Sequence, residues 1–321
     1  MINMKKTDEK MLEEMHTTKK HSHNTRNVYR TAVNTYTTYH KMTLHELLEE
    51  AETEEENGTR WKHRTLKKRL TSYRTYLIEH YKPNTVKSQI NPIINIYKYH
   101  EIEIHPLPQI TQKSYTHNTP LIRYEDLPDK EIIRKALEIS TPVMKAIILF
   151  MTSSGCARTE TLNLTINDYI EATQQYHTGG DIHQIINTLN EIPDVIPTWK
   201  IHRQKTGKNY TTFSMPESTT MINNYLESRT HLKPEAPLFQ INKNYFIMKF
   251  VETNNTLGLG KIDGGLNRFR SHMLRKFHAS TLYNDGMNLE NVNDLQGKSK
   301  NQTDASYFYV NTDDLKTEYM K

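Results

Sequence analysis

The sequence RFRSHMLRKFHASTL, residues 268–282, places aromatic and basic residues at helical spacing. At about 100° per residue, Arg268, His272 and Arg275 fall on one stripe of the predicted helix, beside an apolar stripe. One face is therefore expected to pack and the other to present charge. An imidazole and a guanidinium three residues apart can act on the same phosphate. The imidazole can take up or release a proton, and the planar guanidinium can donate several hydrogen bonds to the phosphate oxygens. A basic amphipathic helix without chemistry is an equally good interpretation of this stretch alone.

A second stretch, SSGCARTETLNL at residues 153–164, predicts the junction of two helices. Gly155 is expected to end the helix that begins with Thr141 and Pro142, and Arg158 to lie near the start of the next helix. Amide N-H groups at such a start favour an anion, which a guanidinium could hold. An ordinary surface arginine is the simpler interpretation of this position by itself.

A third stretch, IPTWKIHRQKTGKNYTTFS at residues 196–214, has two β-rich runs around a TGK turn and predicts a hairpin. Lys205 beside the turn could reach into a cleft and donate a proton, although most turn lysines are only solvated. Ser214 and Glu217 predict a capping box for a helix that runs to about residue 229.

The fourth stretch, LQGKSKNQTDASYFYVNTDDLKTEY, covers residues 295–319. The glycine before Lys298 allows a tight turn, and Tyr307 and Tyr309 follow it. Tyrosine is a poor nucleophile at its usual pKa of about 10, but cations around the hydroxyl and a phosphate would assist attack. With 19 tyrosines in the chain, neither of these two is distinguished by itself.

Together these stretches resemble the tyrosine recombinase family, the site-specific integrases that share a catalytic fold with type IB topoisomerases. The series that matches the family in order is Arg158, Lys205, His272, Arg275, Lys298 and Tyr307. Arg275 and Lys298 are 23 residues apart, and Lys298 and Tyr307 are nine apart, as is usual in that family. The sequences of residues 196–218 and 303–319 most resemble those of archaeal integrases.

The resemblance implies cleavage and rejoining of double-stranded DNA at specific sites through a 3′-phosphotyrosyl bond, so that a mobile element is integrated or excised. It implies that Tyr307 attacks, Lys205 protonates the leaving oxygen, Arg158 and Arg275 neutralise the transition state, His272 assists proton transfer, and Lys298 binds the phosphate. It implies neither a metal nor a cofactor. Four protomers are expected to assemble on two DNA sites, in the cytoplasm and associated with the nucleoid.

The sequence departs from the family pattern at three places. The family usually reads Gly-x-Arg-x-x-Glu, whereas residues 155–160 here are GCARTE, so that Glu160 matches the motif, Ala157 stands at the arginine position and Arg158 is one residue later. Position 298 is lysine where histidine or tryptophan is commoner. Residues 176–195 predict an inserted helix and loop.

The first third of the chain has an uneven charge distribution. Between residues 60 and 98, ten Lys and Arg face a single acid, a surplus of nine positive charges, and the preceding residues 46–56 carry seven glutamates. Such density, interleaved with tyrosines, is typical of a surface that contacts a phosphate backbone, although a solvated helix face is the simpler interpretation. The residues expected to bind DNA are Arg60, Lys62, Arg64, Lys67, Lys68, Arg69, Arg74 and Lys87.

The fold class predicted is mainly α with a small β-hairpin or sheet (α+β): a helical core-binding domain followed by a tyrosine-recombinase catalytic domain. Residues 1–24 predict a flexible N-terminal arm, and residues 25–100 predict about four helices. Three prolines interrupt residues 101–124, which are expected to be a linker, and residues 125–321 form the catalytic domain.

Length and composition exclude several other classes. The chain has 321 residues, enough for two domains, and a formal net charge of +5. Its single cysteine excludes an internal disulfide framework and a Cys-rich zinc site. The absence of a run of about 18 apolar residues argues against a membrane protein.

Three alternatives stay open at this level. The first is a topoisomerase-like enzyme that relaxes DNA without a specific site. The second is a catalytically impaired DNA-binding regulator of the same fold, which the displaced Arg158 would suit. A metal enzyme is the third, because the chain has 16 histidines, but the pair His21 and His23 has no ligating partner nearby in sequence.

Overall fold

The computed structural model describes residues 6–109, 117, 121–203, 207–298 and 311–321. The chain forms two compact units, residues 1–120 and residues 121–321. The division between them falls inside the segment predicted as a linker, and the architecture of helices with small antiparallel sheets confirms the predicted fold class. Among the described residues, no helix is both long and apolar enough to cross a membrane.

The first unit is a bundle of helices. They are α1 (Lys6–Thr18), α2 (His23–His40), α3 (Leu44–Glu56), α4 (Thr65–His80) and α5 (Pro83–Tyr99). Side chains satisfy first amide groups of α2 and α3: the Ser22 hydroxyl accepts from the amide of Thr25, and Thr43 and Glu46 form a reciprocal capping box. Helix α5 has no side-chain cap and begins with Pro83, which has no amide hydrogen to satisfy. The predicted helices between residues 25 and 100 correspond to α2 to α5.

The prediction of a flexible arm over residues 1–24 is wrong from residue 6 onward. Leu12 and Met15 of α1 are buried in the core of the first unit. The Asp8 carboxylate accepts from the amides of Leu44 and His45, at 3.1 and 3.2 Å, and so caps α3 from another helix. The polar composition of this segment hid a narrow apolar stripe, which is enough to dock a helix of 13 residues.

The second unit is built around one of its own helices, α7 (Pro142–Ser154), which is buried. Its elements are α6 (Lys130–Glu138), α7 (Pro142–Ser154), α8 (Arg158–Asn163), α9 (Ile166–Ala172), α10 (Ile182–Glu191), β1 (Thr198–Arg203), β2 (Lys208–Phe213), α11 (Pro216–Glu227), α12 (Lys243–Thr256), β3 (Lys261–Ile262), β4 (Leu266–Asn267), α13 (Ser271–Asn284), α14 (Leu289–Leu295) and α15 (Thr312–Tyr319). Helix α7 packs against α11 and α13. It begins with a proline and ends at Gly155, whose φ of +66° is a left-handed conformation that suits glycine. The predicted insertion contains α10.

The hairpin is formed by β1 and β2, which pair antiparallel from Thr198 opposite Phe213 to Arg203 opposite Lys208. The capping box predicted at Ser214 is wrong, because α11 has Met215 at its cap position with no side-chain cap. The Ser214 hydroxyl instead accepts from the buried Trp199 indole at 2.9 Å. A buried indole N-H needs a hydrogen-bond acceptor, and because the Ser214 hydroxyl fills that role it does not cap α11.

Helix α13 begins at Ser271, so the predicted stripe of Arg268, His272 and Arg275 is wrong in two respects. Arg268 precedes the helix and donates to the carbonyl of Glu125 at 2.9 Å. Arg275 lies on the packed side of the helix and is 8% exposed, whereas His272 is exposed. The two side chains of the motif therefore differ in burial.

Candidate active site

Four of the six predicted catalytic residues belong to described parts of the second unit: Arg158, His272, Arg275 and Lys298. Lys205 and Tyr307 lie outside the described residues, as does Tyr309. The described part of the site is therefore its cationic part.

Arg275 is held by backbone carbonyls. Its guanidinium donates to the carbonyl of Gly155, at the end of α7, and to the carbonyl of Gln296, after α14. Its Nη1 also lies 3.7 Å from a carboxylate oxygen of Glu160. Gly155 has no room for a side chain, since a Cβ there would lie 2.5 Å from the ring of His278. Arg275 is thus fixed between two segments that are distant in sequence, residues 155–160 and residue 296.

Glu160 is the shared partner of two arginines. Its side chain is 6% exposed, and its Oε1 lies 3.3 Å from Nε of Arg203. Its Oε2 accepts from the amide of Ala157 at 2.6 Å and from the hydroxyl of Tyr210 at 2.9 Å. The Glu160 carboxyl group therefore lies among several donors and beside both guanidinium groups, so it fixes the position of Arg203 relative to Arg275.

Lys298 follows a tight turn. Gly297 has a φ of +57°, and a Cβ at that position would lie 2.4 Å from the ring of Tyr210. The amide of Lys298 donates to the carbonyl of Asn293 at 2.9 Å. Loss of hydration, then the charges of Arg275 and Arg203, lower the pKa of the Lys298 ammonium. The side chain is nevertheless exposed, so a charged donor faces solvent close to both arginines.

His272 lies in the first turn of α13 and is exposed. Desolvation, followed by the charges of Arg270, Lys276 and Arg275, lowers its pKa below the usual 6.5. The imidazole is therefore neutral near neutral pH and can accept a proton.

Arg158 is the first residue of α8 and is half-buried. Within the described ranges, no hydrogen bond or ion pair involves its side chain. The residue before it, Ala157, gives its amide to Glu160. The structure thus brings Arg275, Lys298 and Glu160 into one cluster, and among the described residues no hydrogen bond or ion pair joins Arg158 to it.

Sequence reasoning missed two members of the cluster. Arg203 lies at the end of β1, and its Nη1 donates to the carbonyl of Gly297 at 2.6 Å. Glu160 was visible only as the glutamate of the family motif, with no role assigned to it. For Glu160 the signal is that motif; for Arg203 no local pattern sets it apart from other strand residues.

The predicted DNA-binding residues of the first unit fall into two groups. Arg60, Lys62, Lys68 and Lys87 are exposed, and Lys67 and Arg74 are half-buried. Arg64 is 5% exposed and pairs with Glu55 and Glu103, and half-buried Arg69 donates twice to Glu50, at 2.5 and 2.9 Å. The expectation that Arg64 presents its charge to DNA is therefore wrong.

The cluster in the second unit can stabilise negative charge. Arg203 and Arg275 share one buried carboxylate, and Lys298 adds a third cation beside both arginines, which leaves a surplus of positive charge. Preorganised donors of this kind stabilise the charge that develops on a phosphate during phosphoryl transfer. Among the described residues, no group of three His, Cys, Asp or Glu could hold a metal ion.

The model of the phage integrase family matches residues 129–313. A structure of the XerH site-specific recombinase bound to difH substrate, a pre-cleavage complex, is similar with a TM-score of 0.50 and 18% identity, over 78% of this chain and 69% of that chain. Its post-cleavage complex with palindromic difH substrate gives a TM-score of 0.56 and 15% identity, over 91% and 78% of the two chains. No match was found among curated proteins.

Proposed function

The chain belongs to the phage integrase family and is a tyrosine-type site-specific DNA recombinase, and from this premise we propose how its residues divide the chemistry. The observation that carries the proposal is the cluster in which Arg203 and Arg275 share Glu160 and both lie beside Lys298, with His272 on the same helix as Arg275.

In the proposed reaction, the hydroxyl oxygen of Tyr307 attacks the scissile phosphorus and the bond to the 5′ oxygen breaks. His272 takes the proton from the tyrosine, and Lys205 gives a proton to the departing 5′ oxygen. Arg275, Arg158 and Lys298 bind the phosphate oxygens, so their charge replaces the metal that other phosphoryl-transfer enzymes use. The phosphotyrosyl bond keeps the energy of the broken bond, and rejoining needs no cofactor.

The product is the integration or excision of a mobile element, and the likeness to archaeal integrases remains a prediction. We further propose that four copies of the chain assemble on two double-stranded DNA sites, in the cytoplasm and with the nucleoid. The exposed basic residues of the first unit would supply sequence-independent contacts to the DNA backbone.

The test uses covalent capture. Wild-type protein is incubated with a pool of random-sequence duplexes, each nicked once so that cleavage releases a short fragment and cannot reverse. Adducts that resist detergent are recovered and sequenced, which also identifies the target site. The duplex found in this way, called the captured duplex, is then used to test all variants.

Tyr307→Phe removes only the attacking oxygen, so it should bind this duplex nearly as wild type does and form no adduct. Tyr309→Phe is the matched control and should still form the adduct. A reversed result would assign the attack to Tyr309. DNA binding without any wild-type adduct would instead favour the impaired regulator that the displaced Arg158 suggests.

A further inference from the structure

Three successive carbonyls of the Lys298 turn each accept a hydrogen bond from a different cationic side chain. Arg275 donates to Gln296, Arg203 donates to Gly297 at 2.6 Å, and Lys208 donates to Lys298 at 3.1 Å. The three donors come from α13, β1 and β2, and Arg203 and Lys208 face each other across the hairpin. Hydrogen bonds from charged donors are roughly twice as strong as neutral ones.

The turn leaves little freedom for its own backbone. Gly297 is packed against Tyr210 so closely that a Cβ would clash at 2.4 Å, and the carbonyl of Gly297 points to Arg203. Because the backbone of the turn sets where the Lys298 side chain starts, a donor that fixes this carbonyl also sets the position of the ammonium group.

Arg203 makes a second contact that links the turn to Arg275. Its Nε lies 3.3 Å from Oε1 of Glu160, whose other oxygen lies 3.7 Å from Nη1 of Arg275. The Arg203 side chain is 22% exposed and that of Glu160 is 6% exposed. One planar guanidinium therefore joins the carboxylate that orients Arg275 to the turn that carries Lys298, which a lysine cannot do with the same geometry.

We propose that Arg203 is a positioning residue for strand cleavage, which holds the Lys298 turn in register with Arg275 through the Gly297 carbonyl and Glu160. This inference rests on the proposed role of Lys298 in binding the scissile phosphate. Arg203 acts on the phosphate through Lys298, whose turn it holds beside Arg275, because its Nε and Nη1 are already engaged by Glu160 and Gly297.

A double-mutant cycle tests the coupling. The rate of adduct formation is measured on the captured duplex for wild type, Arg203→Gln, Lys298→Gln and the double variant. Each single change should lower the rate about tenfold or more, since each disturbs one preorganised donor. The double variant should be less than about threefold slower than Lys298→Gln alone, because Arg203 has no further effect once its target is gone.

Two variants and two further measurements separate positioning from loss of fold. Arg203→Lys keeps the charge without the planar fork, so its rate should lie between those of wild type and Arg203→Gln. Arg229→Gln is the matched control, because Arg229 also donates to two backbone carbonyls, of Pro237 and Leu238, at 3.0 and 3.1 Å. It should react like wild type. Unfolding midpoints and duplex affinities are recorded for every variant, and Arg203→Gln should bind the duplex within about twofold of wild type.

A wild-type rate for Arg203→Gln would overturn the inference, and so would effects that multiply in the double variant. If Arg203→Gln does not fold, Arg203→Lys takes its place in the cycle under the same criteria. A wild-type rate for Lys298→Gln would overturn both this inference and the role of Lys298, yet leave the recombinase function intact. Failure of the proposed function itself would show differently, as absence of any wild-type adduct.

Discussion

Arginines pair with glutamates in both units, but in different proportions. In the first unit each of these arginines has at least one glutamate of its own, as Glu50 binds Arg69 while Glu55 and Glu103 bind Arg64. In the second unit the single buried carboxylate of Glu160 lies beside both Arg203 and Arg275. The first arrangement neutralises its cations, whereas the second keeps a surplus of positive charge at a fixed place. The difference indicates which arginines stabilise a fold and which also prepare a site for a phosphate.

The largest effect is expected for Arg275→Gln. The change removes a buried guanidinium that has three partners, and we expect the free energy of unfolding to fall by about 3 kcal/mol. Adduct formation should fall by a factor on the order of a thousand or more, because a transition-state donor is also lost. Denaturant unfolding and the capture assay measure the two effects. Arg134→Gln, an exposed arginine on α6 that pairs with glutamates of its own helix, is the control and should change stability by less than about 0.5 kcal/mol. Adduct formation within tenfold of wild type would show that Arg275 serves the fold alone.

In the first unit, Arg64→Gln should affect stability but not chemistry. Arg64 donates to the carbonyl of Thr59 at 2.8 Å and pairs with Glu55 and Glu103. Losing these partners should lower the free energy of unfolding of this unit by about 2 to 3 kcal/mol. Where the protein is still folded, the salt dependence of DNA binding should stay as in wild type. A clear decrease in the salt dependence for Arg64→Gln would mean that Arg64 contacts the DNA backbone.

Acid should weaken the second unit through His278. Burial, then the charges of Arg275 and Lys298, lowers the pKa of this imidazole from 6.5 to about 3. Between these values the unfolded chain binds a proton that the folded chain excludes, so stability falls as the pH drops below 6.5. The expected loss is about 1.4 kcal/mol for each pH unit. His278→Gln should flatten the pH dependence of unfolding below pH 6.5 by that amount, and parallel curves for the two proteins would contradict the assignment.

The smallest effect is expected for Lys68→Gln on the exposed face of α4. Removing one phosphate contact should lower the slope of log affinity against log salt by about 0.9, for captured and unrelated duplexes alike. Stability should not change. Arg69→Gln, at the next position, should leave the slope unchanged because Arg69 is engaged by Glu50. A loss confined to the captured duplex would mean that Lys68 reads bases.

Much of the fold was predictable because it depends on local patterns. Helix α7 begins at Pro142 and ends at Gly155, as these two residues predict. The TGK turn predicts the hairpin, and apolar periodicity predicts α4 and α5. The predictions are wrong where a contact with a residue distant in sequence determines the local structure. Ser214 is taken by Trp199, and α1 docks on a stripe too narrow to distinguish from a polar arm.

The candidate site shows the same limit. The order of the matched residues predicted Arg275 and Lys298, which the structure brings close together. It could not predict Arg203, because the bond between Arg203 and Gly297 joins residues 94 positions apart. Nor could it predict which cations of residues 60–98 are neutralised, because helix packing, not composition, brings each glutamate to its arginine.

The central claim is that this chain cleaves DNA by forming a tyrosyl bond to the 3′ phosphate without a metal. Its most direct test is the polarity of the adduct formed in excess EDTA on the captured duplex, labelled separately at each strand end. We predict that the protein remains on the fragment that ends in the 3′ phosphate, that the other fragment carries a free 5′ hydroxyl, and that the linked peptide contains Tyr307. Protein on the 5′ end, or an adduct that forms only when magnesium is restored, would contradict the account.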